Sequence, residues 1–388
     1  MALIAALIAG TAIAVGGDGS GAQAEALSTL TYLYGVSCTA PSACTAVGNS
    51  DTAPPVTTSL AERWNGSRWT IQRTPSPRVV LTSLFAVSCA SRSSCIGVGA
   101  PNDLAEKWNG ATWTIQRTPQ FTHPTEGAIL YGVSCTSSTA CTAVGITGSP
   151  AAPYQVSLAM RWNGTTWKVQ ATPNRSTPSG GTYLKAVSCA SRTACTAVGF
   201  VGDEELAEAN IPLAMSWNGA RWAIQSTPVP SGTNNTNLNG VSCVSAAACM
   251  AVGYAAESTG VGTVPLAESW NGSAWALSPM PAPPGEGLET TLYGVSCTSR
   301  NACTAVGEYY NPVSSSTQSL AERWNGSAWT IQPTVNPGNV VDLYAVSCAS
   351  STACTAVGRS FAGATAGWTS LIEHWNGSTW TRASSPNP

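Results

Sequence analysis

The sequence predicts an all-β chain folded as a seven-bladed β-propeller, with four antiparallel strands and one local disulfide in each blade. The first observation is that all 14 cysteines of the 388-residue chain fall into pairs with five residues between them. The second is that these pairs recur with a period of about 52 residues, which is typical of an architecture with one supersecondary unit per repeat. The third is an Asn-Gly turn between two apolar runs in every repeat, which is a strong β-hairpin signal.

The cysteine pairs predict seven local disulfides. A structural metal site would need four soft ligands or histidine partners, but the only histidines are His123 and His374, and neither lies near a pair. Disulfides persist in oxidising compartments, so we expect an extracellular protein without a metal or any other cofactor. The pairs are Cys38/Cys44, Cys89/Cys95, Cys135/Cys141, Cys189/Cys195, Cys243/Cys249, Cys297/Cys303 and Cys348/Cys354.

Each of these disulfides would close a very small loop. In the loop-entropy account such a bond contributes only about 2 kcal/mol, less any strain. We therefore expect each one to hold its own hairpin turn and not to tie distant parts of the chain together.

Each repeat contains four short segments with strand character, which the sixth repeat shows most clearly. LYGVSC and CTAVG are separated by five residues, and SLAERW and SAWTIQ are joined by Asn-Gly. The Thr-Pro that follows the last segment in most copies places that strand at the outer edge of the blade, where proline is tolerated. Because no segment shows a 3.6-residue apolar period, essentially no helix is expected beyond the N-terminal segment.

Seven units fit either a closed ring or an open stack. An open stack needs polar capping repeats, but the first and last units carry the full pattern, and seven blades are enough to close a ring. We therefore expect one propeller domain over residues 25–388. No strand is left over at either end, so blade one should pack directly on blade seven. The expected blades span roughly residues 31–73, 82–117, 129–171, 183–226, 237–278, 291–333 and 342–383.

The N-terminal 24 residues are typical of a signal peptide. Residues 2–15 are apolar or small, and Ala-Gln-Ala at 22–24 is a small-x-small cleavage pattern. Since no Lys or Arg precedes the apolar run, an anchor that is not cleaved is the alternative. The net charge of −2 excludes a basic surface for nucleic acid and argues against an anionic membrane partner. We expect a secreted monomer with no membrane span in the mature chain.

The second hairpin of each repeat carries a family resemblance. Every repeat has Gly-x-x-Trp after the third strand, as in Gly66 to Trp69. In this motif the unit resembles the blades of bacterial Asp-box and kelch-like propellers, and the repeat type is similar to that of uncharacterised exported actinobacterial proteins. The chain departs from the pattern where tryptophan, such as Trp64, replaces the Asp two residues before the glycine. The resemblance implies a propeller fold and export but no activity.

Two tryptophans and a glutamate recur around this hairpin. If Asn-Gly is a two-residue turn, Glu62 lies opposite Trp69 on one face of the blade. Met160 and Met215 replace this glutamate in repeats three and four, which favours packing over catalysis. A tryptophan that recurs in every blade likewise indicates packing between blades rather than a platform for sugars.

No catalytic constellation is recognisable. Sialidase-like propellers use an arginine triad, a Tyr–Glu pair, an Asp and an early Phe/Tyr-Arg-Ile-Pro segment, and that segment is missing from this chain. Glycoside hydrolysis needs two facing carboxyl groups, and few acids lie outside the recurring glutamate. We therefore expect no enzymatic activity, with a glycoside-acting enzyme as the remaining catalytic alternative.

Binding is expected on the more variable face of the disc. The turns between strands one and two and between strands three and four share one face and are nearly identical, whereas the other loops vary in length. Since loops on a rigid scaffold accumulate binding residues, we predict a binding or adhesion module for a cell-wall glycan or a protein partner. A purely structural or assembly propeller is the alternative. The candidate ligand contacts follow Ala-Val-Gly near the channel mouth or lie further along the same loops, as Trp368 does, and exposed aromatics are among them. They are Asn49, Phe200, Tyr254, Glu308, Tyr309, Tyr310, Arg359 and Trp368.

Overall fold

The computed structural model describes residues 30–53, 56–75, 81–119, 121, 127–149, 152–175, 180–203, 209–258, 262–283, 289–361, 363 and 367–386. Across these ranges the chain forms 28 strands and no helix, so none of them contains a helix that could cross a membrane. The expected signal peptide at residues 1–24 lies outside the described ranges.

The strands form seven antiparallel four-stranded blades in chain order. One parallel pair, Thr317 with Val340, joins blades six and seven into a continuous sheet. Blade one is β1 (Leu30–Ala40), β2 (Ala43–Ala53), β3 (Val56–Trp64) and β4 (Trp69–Gln72); blade two is β5 (Ser83–Ser91), β6 (Ser94–Ala100), β7 (Ala105–Trp108) and β8 (Trp113–Ile115); blade three is β9 (Ile129–Ser137), β10 (Ala140–Ser149), β11 (Ala152–Trp162) and β12 (Trp167–Gln170); blade four is β13 (Gly181–Ser191), β14 (Ala194–Gly202), β15 (Ile211–Trp217) and β16 (Trp222–Gln225). Blade five is β17 (Thr233–Ser245), β18 (Ala248–Glu257), β19 (Thr263–Trp270) and β20 (Trp275–Leu277); blade six is β21 (Thr290–Ser299), β22 (Ala302–Asn311), β23 (Ser316–Trp324) and β24 (Trp329–Gln332); blade seven is β25 (Val340–Ser350), β26 (Ala353–Phe361), β27 (Trp368–Trp375) and β28 (Trp380–Ala383).

The up-and-down order gives the disc two different faces. We call the face with the disulfide hairpins (residues 38–44 in blade one) and the Asn-Gly loops (residues 65–68) the hairpin face. The opposite face, where strand two connects to strand three and each blade connects to the next, is the loop face.

The innermost strand of every blade contains a β-bulge. In blade one Leu33 pairs with Gly48 and Gly35 pairs with Val47, which leaves Tyr34 as the extra residue. A Cβ atom on Gly48 would lie 1.8 Å from a carbonyl oxygen of β1, so the bulge requires glycine at the end of Ala-Val-Gly. The same register shift recurs in the other six blades.

All seven predicted disulfides are present, and no described cysteine is free. In blade one Cys38 and Cys44 are direct cross-strand neighbours with Cα atoms 4.0 Å apart. The same direct pairing is found in the other six hairpins: Cys89 with Cys95, Cys135 with Cys141, Cys189 with Cys195, Cys243 with Cys249, Cys297 with Cys303 and Cys348 with Cys354.

The disulfides hold their own hairpin turns, as expected, and the second cysteine of each pair has a further role in packing. That cysteine is buried, and it packs in an apolar cluster with residues of the preceding blade. Cys44 lies with Val357 and Ile372 of blade seven, for example. The reason is that strand two lies inside the blade, where its side chains contact the neighbouring sheet. The seven buried cysteines, all 1–6% exposed, are Cys44, Cys95, Cys141, Cys195, Cys249, Cys303 and Cys354.

The same contact with the preceding blade recurs at the other six interfaces. Each cluster combines one buried cysteine with core residues of strands two and three of the blade before it. The residues that share a cluster are Cys95 with Val47 and Ala61, Cys141 with Ile96 and Val98, Cys195 with Val144 and Ala159, Cys249 with Val198 and Ala214, Cys303 with Met250 and Val252, and Cys354 with Val306 and Ala321. Each disulfide therefore closes a hairpin and also packs into an interface between blades.

A ring of equivalent hydrogen bonds joins neighbouring blades. The serine of each Val-Ser-Cys motif accepts a hydrogen bond from the backbone N–H of the first cysteine in the next blade, as Ser37 Oγ does from Cys89 at 3.0 Å. The ring is completed where Cys38 N–H donates to Ser347 Oγ at 2.9 Å. All seven bonds measure 2.9–3.0 Å. These bonds explain why the motif recurs in every blade.

The ring closes by packing, as predicted. Leu33 and Trp69 of blade one share an apolar cluster with Val357 and Ile372 of blade seven. Strands β1–β4 form a sheet of their own, so in the described part of the chain neither terminus adds a strand to the blade of the other.

Candidate functional site

The seven bulge residues of the innermost strands form a ring around the channel, which we call the collar. All seven are partly exposed. Neighbours on successive blades are in contact: the ring centroid of Tyr34 lies 5.7 Å from that of Phe85 and 5.5 Å from that of Tyr344. The members are Tyr34, Phe85, Tyr131, Lys185, Asn239, Tyr293 and Tyr344.

The position after Ala-Val-Gly in strand two (Gly-Val-Gly in blade two) forms a second ring. Because strand two runs from the hairpin face towards the loop face, this second ring lies on the loop-face side of the collar. Arg359, for example, pairs across the sheet with Asp342. The members are Asn49, Ala100, Ile146, Phe200, Tyr254, Glu308 and Arg359. The two rings together define the channel mouth.

The charged part of the channel mouth lies in blades six and seven. Arg359 Nε donates a hydrogen bond to Asp342 Oδ2 at 2.6 Å, and the Tyr344 hydroxyl donates to the same oxygen at 2.9 Å. The Tyr293 hydroxyl donates to Glu308 Oε1 at 2.6 Å. Two tyrosines of the collar are thus held by two carboxyl groups beside it.

Arg359 also packs on aromatic rings from both sides of the ring closure. Its guanidinium carbon lies 4.0 Å from the ring centroid of Trp368 in blade seven and 5.5 Å from that of Tyr32 in blade one. This geometry suits a cation–π interaction. It fixes the guanidinium over the junction of the first and last blades.

Burial sets the charge of this cluster. Burial raises the pKa of Glu308 to about 9, and the adjacent Asp342 contributes to that rise. Burial also raises the pKa of Tyr293 and Tyr344 well above the usual value. Burial alone would lower the pKa of Arg359, but Tyr344 and Asp342 bring it above its ordinary value. At neutral pH Glu308 is therefore protonated, and the charges of Asp342 and Arg359 balance each other.

The opposite side of the channel mouth, in blades three and four, is mainly apolar. The rings of Tyr183 and Phe200 stack with centroids 4.6 Å apart, and Ile146 packs in the same cluster. Lys185 Nζ lies 4.0 Å from the ring centroid of Tyr131. The two sides of the channel mouth therefore differ in chemistry. One side has an ion pair and a neutral acid, and the other has stacked rings and one cation.

Amide side chains complete the ring in blades one and five. Asn49 is fully buried, and neither atom of its amide has a hydrogen-bond partner in the described ranges. An unsatisfied buried polar group costs roughly 1–3 kcal/mol, but a side chain with no exposed surface is not presented to a ligand, so burial argues against the prediction of Asn49 as a ligand contact. In blade five Asn237 donates to the Tyr254 hydroxyl, and Asn239 Nδ2 donates to the Leu292 carbonyl at 3.0 Å.

The structure places five of the eight predicted contact residues in the second ring. Trp368 lies beside this ring because its indole packs on the guanidinium of Arg359. Tyr309 and Tyr310 lie further along β22. The expectation that the aromatic candidates are exposed is wrong for Phe200 and Tyr309, which are 3% and 8% exposed. The reason is that strand two continues beyond Ala-Val-Gly, so Tyr309 pairs with Gln318 and its hydroxyl donates to that side chain at 2.6 Å.

The Asn-Gly hairpin differs from the predicted two-residue turn. Trp64 pairs directly with Trp69 around a loop of residues 65–68. The loop is wider because the Asn side-chain oxygen at its start accepts two backbone N–H groups within it, at 2.9 and 3.0 Å. The predicted pairing of Glu62 with Trp69 is therefore wrong, and Glu62 pairs with Ile71.

The recurring glutamates lie between blades and are fully buried. Burial raises the pKa of Glu62 and Glu373 to about 7 and that of Glu106, Glu268 and Glu322 to about 8. The methionines that replace them in blades three and four are fully buried as well. The position is part of the packing between blades. No group of three His, Cys, Asp or Glu side chains in the described ranges could hold a metal ion.

The collar is the part of the site that sequence reasoning missed. Its residues precede Gly-Val-Ser-Cys or Ala-Val-Ser-Cys in every repeat. The sequence could have indicated the collar because the residue type varies at this one position of the motif: it is aromatic in five repeats, Lys in one and Asn in one. Its neighbours in the motif hardly change.

The comparisons with known proteins show the fold. No family model and no curated protein matches the chain. A GH74 xyloglucanase from Xanthomonas campestris is similar at 11% identity and a TM-score of 0.55, over 92% of this chain and 55% of that one. YCF48 from Cyanidioschyzon merolae is similar at 12% identity and a TM-score of 0.52, over 90% and 96%. Sqt1 from Chaetomium thermophilum is similar at 8% identity and a TM-score of 0.51, over 92% and 86%. This chain spans about half the length of the xyloglucanase. Identities this low show the architecture alone, and that architecture is a seven-bladed β-propeller.

Proposed function

We propose that this chain is a secreted, non-catalytic binding module whose ligand, a glycan or a protein segment, is held at the channel mouth. The observation that carries the proposal is the contrast between equivalent positions. The collar and the second ring hold Tyr, Phe, Lys, Asn, Glu, Arg, Ile and Ala at positions that are equivalent by fold. Elsewhere in the innermost strands, Val-Ser-Cys is the same in all seven blades.

The chemistry of the channel mouth suits a long ligand of low charge. Partly exposed rings such as Tyr34 and Phe85 offer apolar faces, and the partly exposed amide of Asn239 offers a polar group. Binding sites usually combine such apolar surface with a few fixed polar groups. Because Arg359 and Asp342 neutralise each other, a strongly charged ligand would gain little on that side.

Two features support a non-catalytic role. Retaining and inverting glycosidases separate their two carboxyl groups by about 5–10 Å so that the sugar or a water fits between them. Here Glu308 lies beside Asp342 closely enough for that carboxylate to raise its pKa. Each carboxyl group is also engaged by a collar tyrosine.

The seven disulfides support export, since such bonds form and persist in oxidising compartments.

The test is an array of bacterial cell-wall and extracellular glycans, applied to the oxidised chain. Phe85→Ala removes one ring of the collar, and Arg68→Ala changes an exposed side chain on the hairpin face as the matched control. We expect a glycan that is retained by the wild type and by Arg68→Ala, and bound at least tenfold more weakly by Phe85→Ala. Retention by Phe85→Ala with loss in Arg68→Ala would place the ligand on the other face and overturn the proposal.

Absence of binding by the wild type across the array would reject the glycan arm. The protein arm is then tested by capture from the native culture medium with the same two variants. A protein retained by the wild type and by Arg68→Ala but not by Phe85→Ala supports the binding module. Equal retention by all three, or none, favours a structural or assembly propeller.

A further inference from the structure

The residue before the outer tryptophan of strand three reaches across to the next blade. Arg63 in blade one lies over the Trp108 ring of blade two, with 4.7 Å from its guanidinium carbon to the ring centroid. Arg323 lies over Trp375 at the same distance. Lys107 and Arg161 take the same place over Trp162 and Trp217 at 5.3 and 6.0 Å, and the ring of His374 lies 4.8 Å from that of Trp64.

The two closest guanidinium groups also bind the disulfide hairpin of the next blade. Arg63 donates to the carbonyl oxygen of Arg92 at 2.8 Å, and Arg323 donates to that of Ser351 at 2.7 Å. Both carbonyls belong to the third residue after the first cysteine of the hairpin. An indole face and this carbonyl therefore form a repeated guanidinium site on the hairpin face.

Blades four and five depart from this pattern. Ser216 and Ser269 stand where the other blades have Arg, Lys or His, and a serine is too short to cover the next tryptophan. None of the described Lys or Arg side chains lies over the rings of Trp270 or Trp324. Both rings are partly exposed, as are Trp64 and Trp217, whereas Trp108, Trp162 and Trp375 are only 5%, 3% and 6% exposed. What distinguishes Trp270 and Trp324 is the missing cation and not the exposure alone.

A groove opens at the first of these two interfaces. It encloses about 180 Å³ between blades four and five, and its walls include Ser216, Trp217, Gln225, Ala246 and Trp270. Ala246 is the third residue after Cys243, and its carbonyl accepts the Trp270 Nε1–H at 3.2 Å. A carbonyl has two lone pairs, and the equivalent oxygen in Arg92 accepts both an indole N–H and a guanidinium.

Charge distinguishes the two open interfaces. The hairpin of blade six carries Arg300 where that of blade five carries Ala246. The effect of a cation at this place is visible in blade two, where Arg92 adds to burial in lowering the pKa of Arg63. A second cation is therefore less favourable beside Trp324 than beside Trp270.

We propose that the groove between blades four and five binds the guanidinium group of an arginine side chain from a partner polypeptide. The guanidinium lies over the Trp270 ring and donates to the Ala246 carbonyl, as Arg63 and Arg323 do within the chain at the equivalent sites. This site lies on the hairpin face and is independent of the channel mouth. Its volume of about 180 Å³ suits a single side chain, so the site adds to a larger interface.

The test uses the tripeptide Ac-Gly-Arg-Gly-NH₂ as the probe and the indole N–H resonances of the oxidised chain as the readout. Trp270→Phe assigns the resonance. We expect the Trp270 resonance to shift saturably with a dissociation constant on the order of millimolar, the strength of one cation–π contact and one charge-assisted hydrogen bond. The citrulline analogue, which has the same shape without the charge, should bind at least fivefold more weakly. An unshifted Trp270 resonance, or equal binding of both peptides, would overturn the proposal.

A variant that copies the arrangement of Arg63 and Arg323 tests whether the guanidinium lies over the Trp270 ring. Ser216→Arg supplies the missing guanidinium from within the chain, so it should abolish the Trp270 shift, whereas Ser269→Arg at the next interface should leave it unchanged. Ala246→Arg, at an exposed hairpin position, places a repelling cation beside the groove and should weaken binding at least threefold even if Ser216→Arg does not fold. Undiminished peptide binding in either Ser216→Arg or Ala246→Arg would contradict the assignment.

Discussion

The hairpin face and the channel mouth are built from the same seven repeats, yet they differ in how strictly they repeat. On the hairpin-face side, the serine–cysteine hydrogen bonds keep the same partners and vary only between 2.9 and 3.0 Å around the ring. At the channel mouth, equivalent positions hold Glu308, Arg359 and Phe200. A feature that repeats seven times serves the fold, which every blade needs equally. Function is best sought where the repetition stops, at the channel mouth and at Ser216.

The bulge glycine should give the largest effect of any single substitution. A Cβ atom on Gly99 would lie 1.9 Å from a carbonyl oxygen of β5, whereas one on Gly97 would meet only side chains, the nearest being Leu84 at 3.3 Å. The other six blades carry alanine at the place of Gly97. We expect Gly99→Ala to lower the free energy of unfolding by more than about 3 kcal/mol and Gly97→Ala to change it by less than about 1 kcal/mol. Urea unfolding of both variants checks this, and similar losses would contradict the role of the bulge.

The two acids of the polar cluster at the channel mouth, Asp342 and Glu308, should contribute differently to stability. Asp342→Asn removes the partner of Arg359, which is only 21% exposed, so we expect a loss of roughly 2 kcal/mol at pH 7. Glu308 has a pKa of about 9 and is already protonated, so Glu308→Gln should change stability by less than about 0.5 kcal/mol. Chemical denaturation at pH 7 measures both. A larger loss for Glu308→Gln would show that Glu308 is ionised.

The buried glutamates between blades should make stability depend on pH. Glu322 has a pKa of about 8 in the folded chain, above the value of an exposed glutamate. The folded state therefore favours the protonated form, and stability is highest below about pH 4.5 and falls as the pH rises through 8. Glu322→Gln should therefore raise the free energy of unfolding by roughly 3 kcal/mol more at pH 8 than at pH 5. The exposed Glu257→Gln is the control; equal effects at both pH values would contradict the burial argument.

The serine ring should give a small effect of equal size at every interface. Ser347→Ala at the closure and Ser188→Ala in the middle of the chain each remove one acceptor from a backbone N–H. We expect both to lower the free energy of unfolding by about 1 kcal/mol. Thermal unfolding in parallel compares them. A much larger loss at Ser347 would show that the closure is a weaker interface than the other six.

The fold could be predicted from the sequence because its signals are local. Cys-x5-Cys, Asn-Gly and Ala-Val-Gly each define a hairpin or a bulge over a few residues. The packing of Cys95 against Val47 could not be predicted in this way, because that contact joins two blades. The collar was missed because a bulge changes which face the next side chain occupies, so simple alternation misplaces Tyr34.

Two further features depend on neighbours that lie outside the local segment. The exposure of Phe200 was misjudged because nothing in its own segment shows that strand two continues. The site on Trp270 depends on Ser216, which lines the same groove but lies some 54 positions away in the sequence, and only the repeat period would reveal that relation.

The central claim is tested most directly by measuring ligand affinity and stability together in two variants. The ligand is the glycan or protein retained by the wild type, and the variants are Phe85→Ala in the collar and Ser347→Ala in the serine ring. We predict that Phe85→Ala weakens binding at least tenfold and costs about 1 kcal/mol or less of stability, because its ring is only partly buried. Ser347→Ala should keep the full affinity and lose about 1 kcal/mol. Full affinity in Phe85→Ala, or loss of binding in a folded Ser347→Ala, would contradict the division between the faces.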